Sequence, residues 1–114
     1  MEYLNHEYLV PIIIGSGKNS TTVAKRIRKT TGAEVHLFAD NFSLWQRMKY
    51  RCHKVAPFKA DFLIMSLMAF EKSLEEYYSP VIILCGDDAE KIVNNKIAVI
   101  ESSFVVVRYD EITK

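Results

Sequence analysis

Cysteine is scarce: two residues, Cys52 and Cys85, in 114. They form no CxxC pair and have no ligand pattern around them, which excludes a disulfide scaffold and the usual zinc ribbons. Two ordinary thiols in a reduced, cytoplasmic protein are expected. Only three prolines and four glycines occur, so collagen-like and low-complexity classes are out. No long apolar run exists either. The longest, residues 62–70, contains a serine and is too short to span a bilayer. Glu2, Asn5, His6 and Glu7 interrupt any basic-then-apolar leader, so neither secretion nor a membrane location is expected. What is present is ordinary for a globular domain: 49% hydrophobic and 25% charged residues. The length favours one domain, residues 1–114, able to bury a single core. There is no internal repeat or linker.

The net charge of +1 hides an uneven spread. Residues 1–60 hold ten Lys/Arg against four Asp/Glu; residues 61–114 hold five against ten. The basic half suits an anionic ligand, or merely a solvated helix face carrying Lys25, Arg26, Arg28 and Lys29. Nucleic acid is not expected, because that needs a stronger positive balance with interleaved aromatics.

Hydrophobic periodicity gives an alternating order of elements. Residues 8–14 form a continuous apolar run rich in branched side chains, as in a strand buried on both faces. Pro11 weakens that assignment for a central strand, since it donates no ladder bond. A helix follows, capped by Asn19 or Ser20, with Val23, Ala24 and Ile27 on its apolar face and Gly32 at its end. Residues 34–39 form a second strand. Residues 43–50 form a short helix with Ser43 as cap and Leu44, Trp45 and Met48 facing inward. Residues 52–56 form an edge strand closed by Pro57. Asp61 caps a helix running to about Tyr77, with Leu63, Leu67, Phe70 and Leu74 on one face. Residues 80–85 are a buried strand. Asp87 and Glu90 have capping-box spacing and open a helix to about Lys96. Residues 104–108 are the last strand.

Alternation of this kind predicts a three-layer, Rossmann-like α/β/α fold with a five-stranded parallel sheet in the order 3-2-1-4-5. The order reverses between strands 1 and 4, which opens a crevice at their carboxyl ends. Two turns meet there: Gly15, Ser16, Gly17 and Lys18 after the first strand, and Cys85, Gly86 and Asp87 after the fourth. Glycines at 15 and 17 permit positive φ, and outward N–H groups at a helix start favour an anion. Lys18 adds a charge.

A phosphate-binding P-loop does not fit. Asn19 follows Gly17-Lys18, and Ile12 occupies the upstream glycine position. The dinucleotide fingerprint fits in part. Gly15 and Gly17 match, Ser20 replaces the third glycine, and Asp40 ends the second strand where an acid holds a ribose. A plain turn with two permissive glycines explains the same residues. His6, His36 and His53 have no metal spacing. Ser16 lacks a nucleophile motif. The segment RMKYRCHK, residues 47–54, either binds an acidic group or guards a sheet edge.

Three stretches carry a family resemblance: VPIIIGSGKNSTTVAKRI (10–27), HLFADNFSLWQRMKYRCHKV (36–55) and PVIILCGDDAEKIVNNK (80–96). Over residues 8–110 the chain resembles the N-terminal domain that precedes the catalytic part of ATP-grasp carboxylate–amine ligases, the branch similar to D-aspartate ligases and the carbamoyl-phosphate synthase large chain. In that family a strand-2 acid, a Ser-rich turn and a basic segment precede an edge strand; Asp40, Ser43 and YRCHKV stand in those places. The resemblance implies that Gly15–Lys18 and Cys85–Asp87 face a small anionic or amino-acid-like substrate. It also implies that ATP and Mg²⁺ bind on a separate grasp module, in cis or in trans. The sequence holds no such module, so no cofactor binding and no ligase turnover are expected of this chain alone. A small nucleotide- or dinucleotide-binding regulatory module is the alternative. Surplus apolar residues Phe62, Met65, Met68, Tyr77 and Tyr78 suggest a homodimer.

Overall fold

A computed structural model of the chain describes residues 9–15, 18–75, 78–85 and 87–108; the side chains of Lys18, Asp87, Asp88, Ala89 and Arg108 lie outside that description. Five strands, β1 (Leu9–Ile14), β2 (His36–Ala39), β3 (Arg51–Lys54), β4 (Ser79–Leu84) and β5 (Val105–Arg108), form one sheet in the order β3-β2-β1-β4-β5. All four pairings are parallel. The connections are α1 (Lys18–Thr31), α2 (Leu44–Lys49), α3 (Ala60–Ser73), and α4 (Asp87–Asn94) with α5 (Ile97–Glu101). The expected fold class and strand order are therefore present.

Strand alternation divides the core in two. Ile12, Ile14, Phe38 and Ile82 point to the face covered by Leu63 and Leu67 of α3, Val93 of α4 and Ile100 of α5. Ile13, Leu37, Val81 and Ile83 point to the other face, covered by Val23, Ala24 and Ile27 of α1. Each buried Ile, Leu or Val contributes about 1.5–3 kcal/mol, and the central strand β1 supplies both faces, which is why its sequence is apolar throughout.

Pro11 is tolerated in that central strand for a geometric reason. The Gly15 N–H donates to the Phe38 carbonyl at 2.8 Å, so odd-numbered residues of β1 aim their N–H groups at β2. Pairing with β2 begins only at Ile12, opposite His36. The missing donor of Pro11 therefore removes no ladder bond.

Several boundaries differ from those expected. β2 begins at His36 rather than residue 34, and β3 ends at Lys54. Asn19 and Ser20 lie inside the first turn of α1, which starts at Lys18. Lys59, not Asp61, is the N-cap of α3, with no side-chain cap bond. That helix ends at Ser73, and Tyr77 lies outside the described residues. The helix after β4 stops at Asn94, and α5 follows as a separate short helix.

The largest correction concerns α2. Leu44, Trp45 and Met48 are 71%, 69% and 71% exposed; they do not face inward. Gln46 is the buried residue, completing a capping box with Ser43. Its side-chain oxygen accepts from the Ser43 N–H at 2.8 Å, and its amide donates to Thr21 Oγ1 at 2.9 Å. Gln46→Ala removes both bonds and is expected to lower stability by about 1–3 kcal/mol. A urea midpoint within error of the parent's would show that α2 does not depend on them.

Candidate functional site at the carboxyl ends of the strands

Pairing of β1 with β4 from Leu9–Ser79 to Ile13–Ile83 sets their carboxyl ends side by side. The order reversal thus falls between these two strands, as expected. Gly15 leaves β1 with φ +110°, a value reserved for glycine. Its N–H stays tied to the Phe38 carbonyl, so the first turn is anchored to the end of β2. Ser20, buried in the first turn of α1, comes within 3.2 Å of where a Gly15 Cβ would stand. The backbone thus passes closely over the helix start.

The other expected site residues divide as follows. Asp40 follows β2 directly and is exposed, one residue beyond Ala39, whose carbonyl accepts from Val55 N–H at 2.8 Å. Cys85 follows β4 and is buried against the α1 side of the sheet. Lys18 and Asp87 open α1 and α4. Ser16, Gly17 and Gly86, and the side chains of Lys18 and Asp87, lie outside the described residues.

Cys85 is a buried thiol, poorly set up to act as a nucleophile. Burial pushes its thiol up to about 12, and the Sγ–H faces the Ile83 carbonyl at 3.8 Å. Cys52 is also raised, chiefly by burial and against the pull of Arg47. Both are free thiols. At pH 8, a thiol reagent is expected to modify Cys85 on the order of a hundredfold more slowly in native than in urea-unfolded protein. Equal rates would remove the buried assignment.

Sequence reasoning missed one side-chain cluster. His36 Nδ1 and His53 Nε2 are 3.0 Å apart, within hydrogen-bond distance, and the tautomer sets which ring donates. Phe38 stacks on His53 with centroids 4.3 Å apart, and Phe70 of α3 meets both imidazoles. Burial, then the neighbouring His53, lowers His36 to about 4; burial lowers His53. Only the β2–β3 register, which places Phe38 opposite His53, brings these residues together, and spacing in the sequence does not encode it. His36 is the first residue of β2, whereas His53 stands level with Phe38 near the carboxyl end of β3, so the pair runs diagonally across the β2–β3 edge, two strands from β4. Among the described residues no group of three or more His, Cys, Asp or Glu is placed to hold a metal.

The pair has a pH consequence. Its folded-state values lie below the ordinary 6.5. Its contribution is therefore complete above pH 6.5 and is lost as pH falls through about 4. Water screens these half-exposed rings, which leaves about 1–2 kcal/mol. Urea midpoints at pH 7, 5.5 and 4 are expected to fall, and to fall less in His53→Phe. An identical acid slope in that variant would assign the loss elsewhere.

A hollow of about 580 Å³ between α3 and α4 is lined by Lys59, Lys91, Lys96, Asn95, Phe58 and Asp61, among others. Asp61 partly offsets its charge through an ion pair with Lys96 at 3.8 Å. No helix among the described residues is long and apolar enough to cross a membrane. Comparison with family models, curated proteins and solved structures returns no match.

Proposed function

We propose that the chain is the substrate-side N-terminal domain of an ATP-grasp carboxylate–amine ligase. The observation that carries this reading is the Gly15 turn: a glycine-only backbone at the carboxyl end of β1, beside the end of β4. Such a turn, leading into α1, suits a carboxylate or phosphate. The quoted family-like stretches coincide with β1-α1, β2-α2-β3 and β4-α4. On this reading Gly15, Ser16, Gly17, Lys18, Cys85, Gly86 and Asp87 border an anionic or amino-acid-like substrate. Cys85 contributes shape, since its thiol stays protonated. ATP and Mg²⁺ belong to a grasp module in cis or in trans, and the chain works in the cytoplasm.

The test is an amide-shift titration with inorganic phosphate and with aspartate. Saturable shifts at Gly15 and the start of α1 support the reading; none would sink it. ATP-dependent amide formation by the purified 114-residue chain would overturn the assignment of chemistry to a separate module. The rival reading, a dinucleotide sensor, rests on the exposed acid Asp40 beyond β2. It requires saturable NAD or NADP binding heat that disappears in Asp40→Ala.

A further inference from the structure

The sheet separates two helical layers of opposite charge. α1 and α2 lie on one face, joined by the Gln46–Thr21 bond and by Arg28 Nη1 donating to the Lys49 carbonyl at 3.1 Å. Together they carry seven cations and no acid. The helices α3, α4 and α5 lie on the other face and carry six carboxylates against Lys72 and Lys91, with Lys59 and Lys96 at the caps of α3 and α5, so this layer is negative by two charges. The uneven halves of the sequence thus become a charge dipole across the sheet.

Each layer also exposes an apolar cluster. On the basic layer it is Leu44, Trp45 and Met48. On the acidic layer the exposed apolar side chains are Phe62 and Met65 of α3, 45% and 68% exposed, with Val99 of α5. Met68 and Tyr78, also counted as surplus in the sequence, pack instead against the core. Large apolar side chains ringed by charge have the make-up of an interface core and rim, in which Trp, Phe, Met and Arg are over-represented.

We propose that these two surfaces bind one another in successive copies of the chain, the α1/α2 layer of one docking on the α3/α4/α5 layer of the next. This inference stands apart from the ligase reading. Symmetry decides the orientation. A two-fold contact of basic layer on basic layer sets seven cations against seven, and like charges across an interface cost several kcal/mol. The acidic layer, negative by two, has the same difficulty in smaller measure. Of the pairings between these two layers, the head-to-tail one alone satisfies both charge and apolar surface. The β3 edge is a poorer contact, since Arg51 and Lys54 are exposed on it and such charges discourage strand addition. A polyanion on the basic layer would answer the cations but leave the acidic layer's Phe62 and Met65 unexplained. A second copy covers both clusters. The contact is heterologous, so it propagates into a ring or an open chain.

Sedimentation velocity of the full chain tests this from about 10 µM to about 1 mM, where weak interfaces half-form. At roughly 50 mM salt the average mass is expected to rise at least twofold over that range, and to return toward the monomer at roughly 500 mM. Trp45→Asp and Met65→Asp each disable one layer through an exposed residue, so each variant alone is expected to stay monomeric with an unchanged urea midpoint. Mixed in equal amounts they retain one intact surface of each kind and are expected to form a dimer and nothing larger. A monomeric parent at the highest concentration would overturn the proposal. So would a mixture that stays monomeric, or self-association unaffected by Trp45→Asp. A monomeric parent that binds phosphatidylserine vesicles or a single-stranded oligonucleotide through Trp45 would also overturn it, assigning the basic layer to a polyanion.

Discussion

Phe38→Ala is expected to remove about 3–5 kcal/mol of stability, a third or more of what a domain of this size has. Phe38 is 1% exposed, in the middle of the sheet face covered by α3. Its ring stacks flat on His53 and meets the edge of Phe70 at 5.6 Å. Truncation leaves a void the neighbours cannot close, because β2 is fixed between β1 and β3. It also admits water to the imidazoles. Their charged forms become less costly, so the acid-induced loss of stability between pH 6.5 and 4 should shrink along with the total. Urea denaturation at pH 7 and pH 4.5 measures both effects. Phe38→Leu keeps most of the volume and is expected to lose about 1–1.5 kcal/mol. A loss below about 1 kcal/mol for Phe38→Ala would mean the ring does not hold the β2–α3 contact.

The strand order was legible because apolar runs alternate with amphipathic stretches, and parallel topology leaves few ways to connect them. Pro11 was a warning that the register dissolves: its N–H would have met the space before β2 starts. The inverted orientation of α2 shows the limit of periodicity. An α-helix turns by about 100° per residue. Leu44, Trp45 and Met48 therefore share one face, and Gln46 lies roughly 150° from their middle. The pattern identifies two faces but not which one is covered. The capping box and the bond to Thr21 turn Gln46 inward, and the apolar face is left outside. The short helix α5 escaped notice because it has five residues and no side-chain cap. The histidine pair needed a register that no single strand encodes. Gly15 was legible because a sharp exit from a buried strand demands a backbone only glycine provides. The turn after β4 was legible as a position beside β1, but Cys85 points its thiol into the core rather than the crevice.

Gly15→Ala should show whether the β1 turn is a built feature or a permissive bend. At φ +110° an alanine is strained, and its Cβ meets Ser20 Oγ at 3.2 Å. Ser20 is buried in the first turn of α1, so it has little room to yield. Two responses remain. Either the strain persists, or φ relaxes and the Gly15 N–H leaves the Phe38 carbonyl it holds at 2.8 Å. Both lower stability by about 1–3 kcal/mol, and both shift the backbone amides that the proposed function aims at an anion. Phosphate affinity by amide-shift titration is then expected to fall about tenfold or more, since misaligned donors cost upwards of 1.4 kcal/mol. Gly32 supplies the internal control. It ends α1 at φ +73°, and a Cβ there meets nothing within 4 Å. Gly32→Ala should therefore cost only about 1–2 kcal/mol of left-handed strain and leave phosphate binding unchanged. If Gly15→Ala proves no more harmful than Gly32→Ala in both measurements, the close passage over Ser20 has no energetic weight. The case for an anion site at the end of β1 then loses its structural basis.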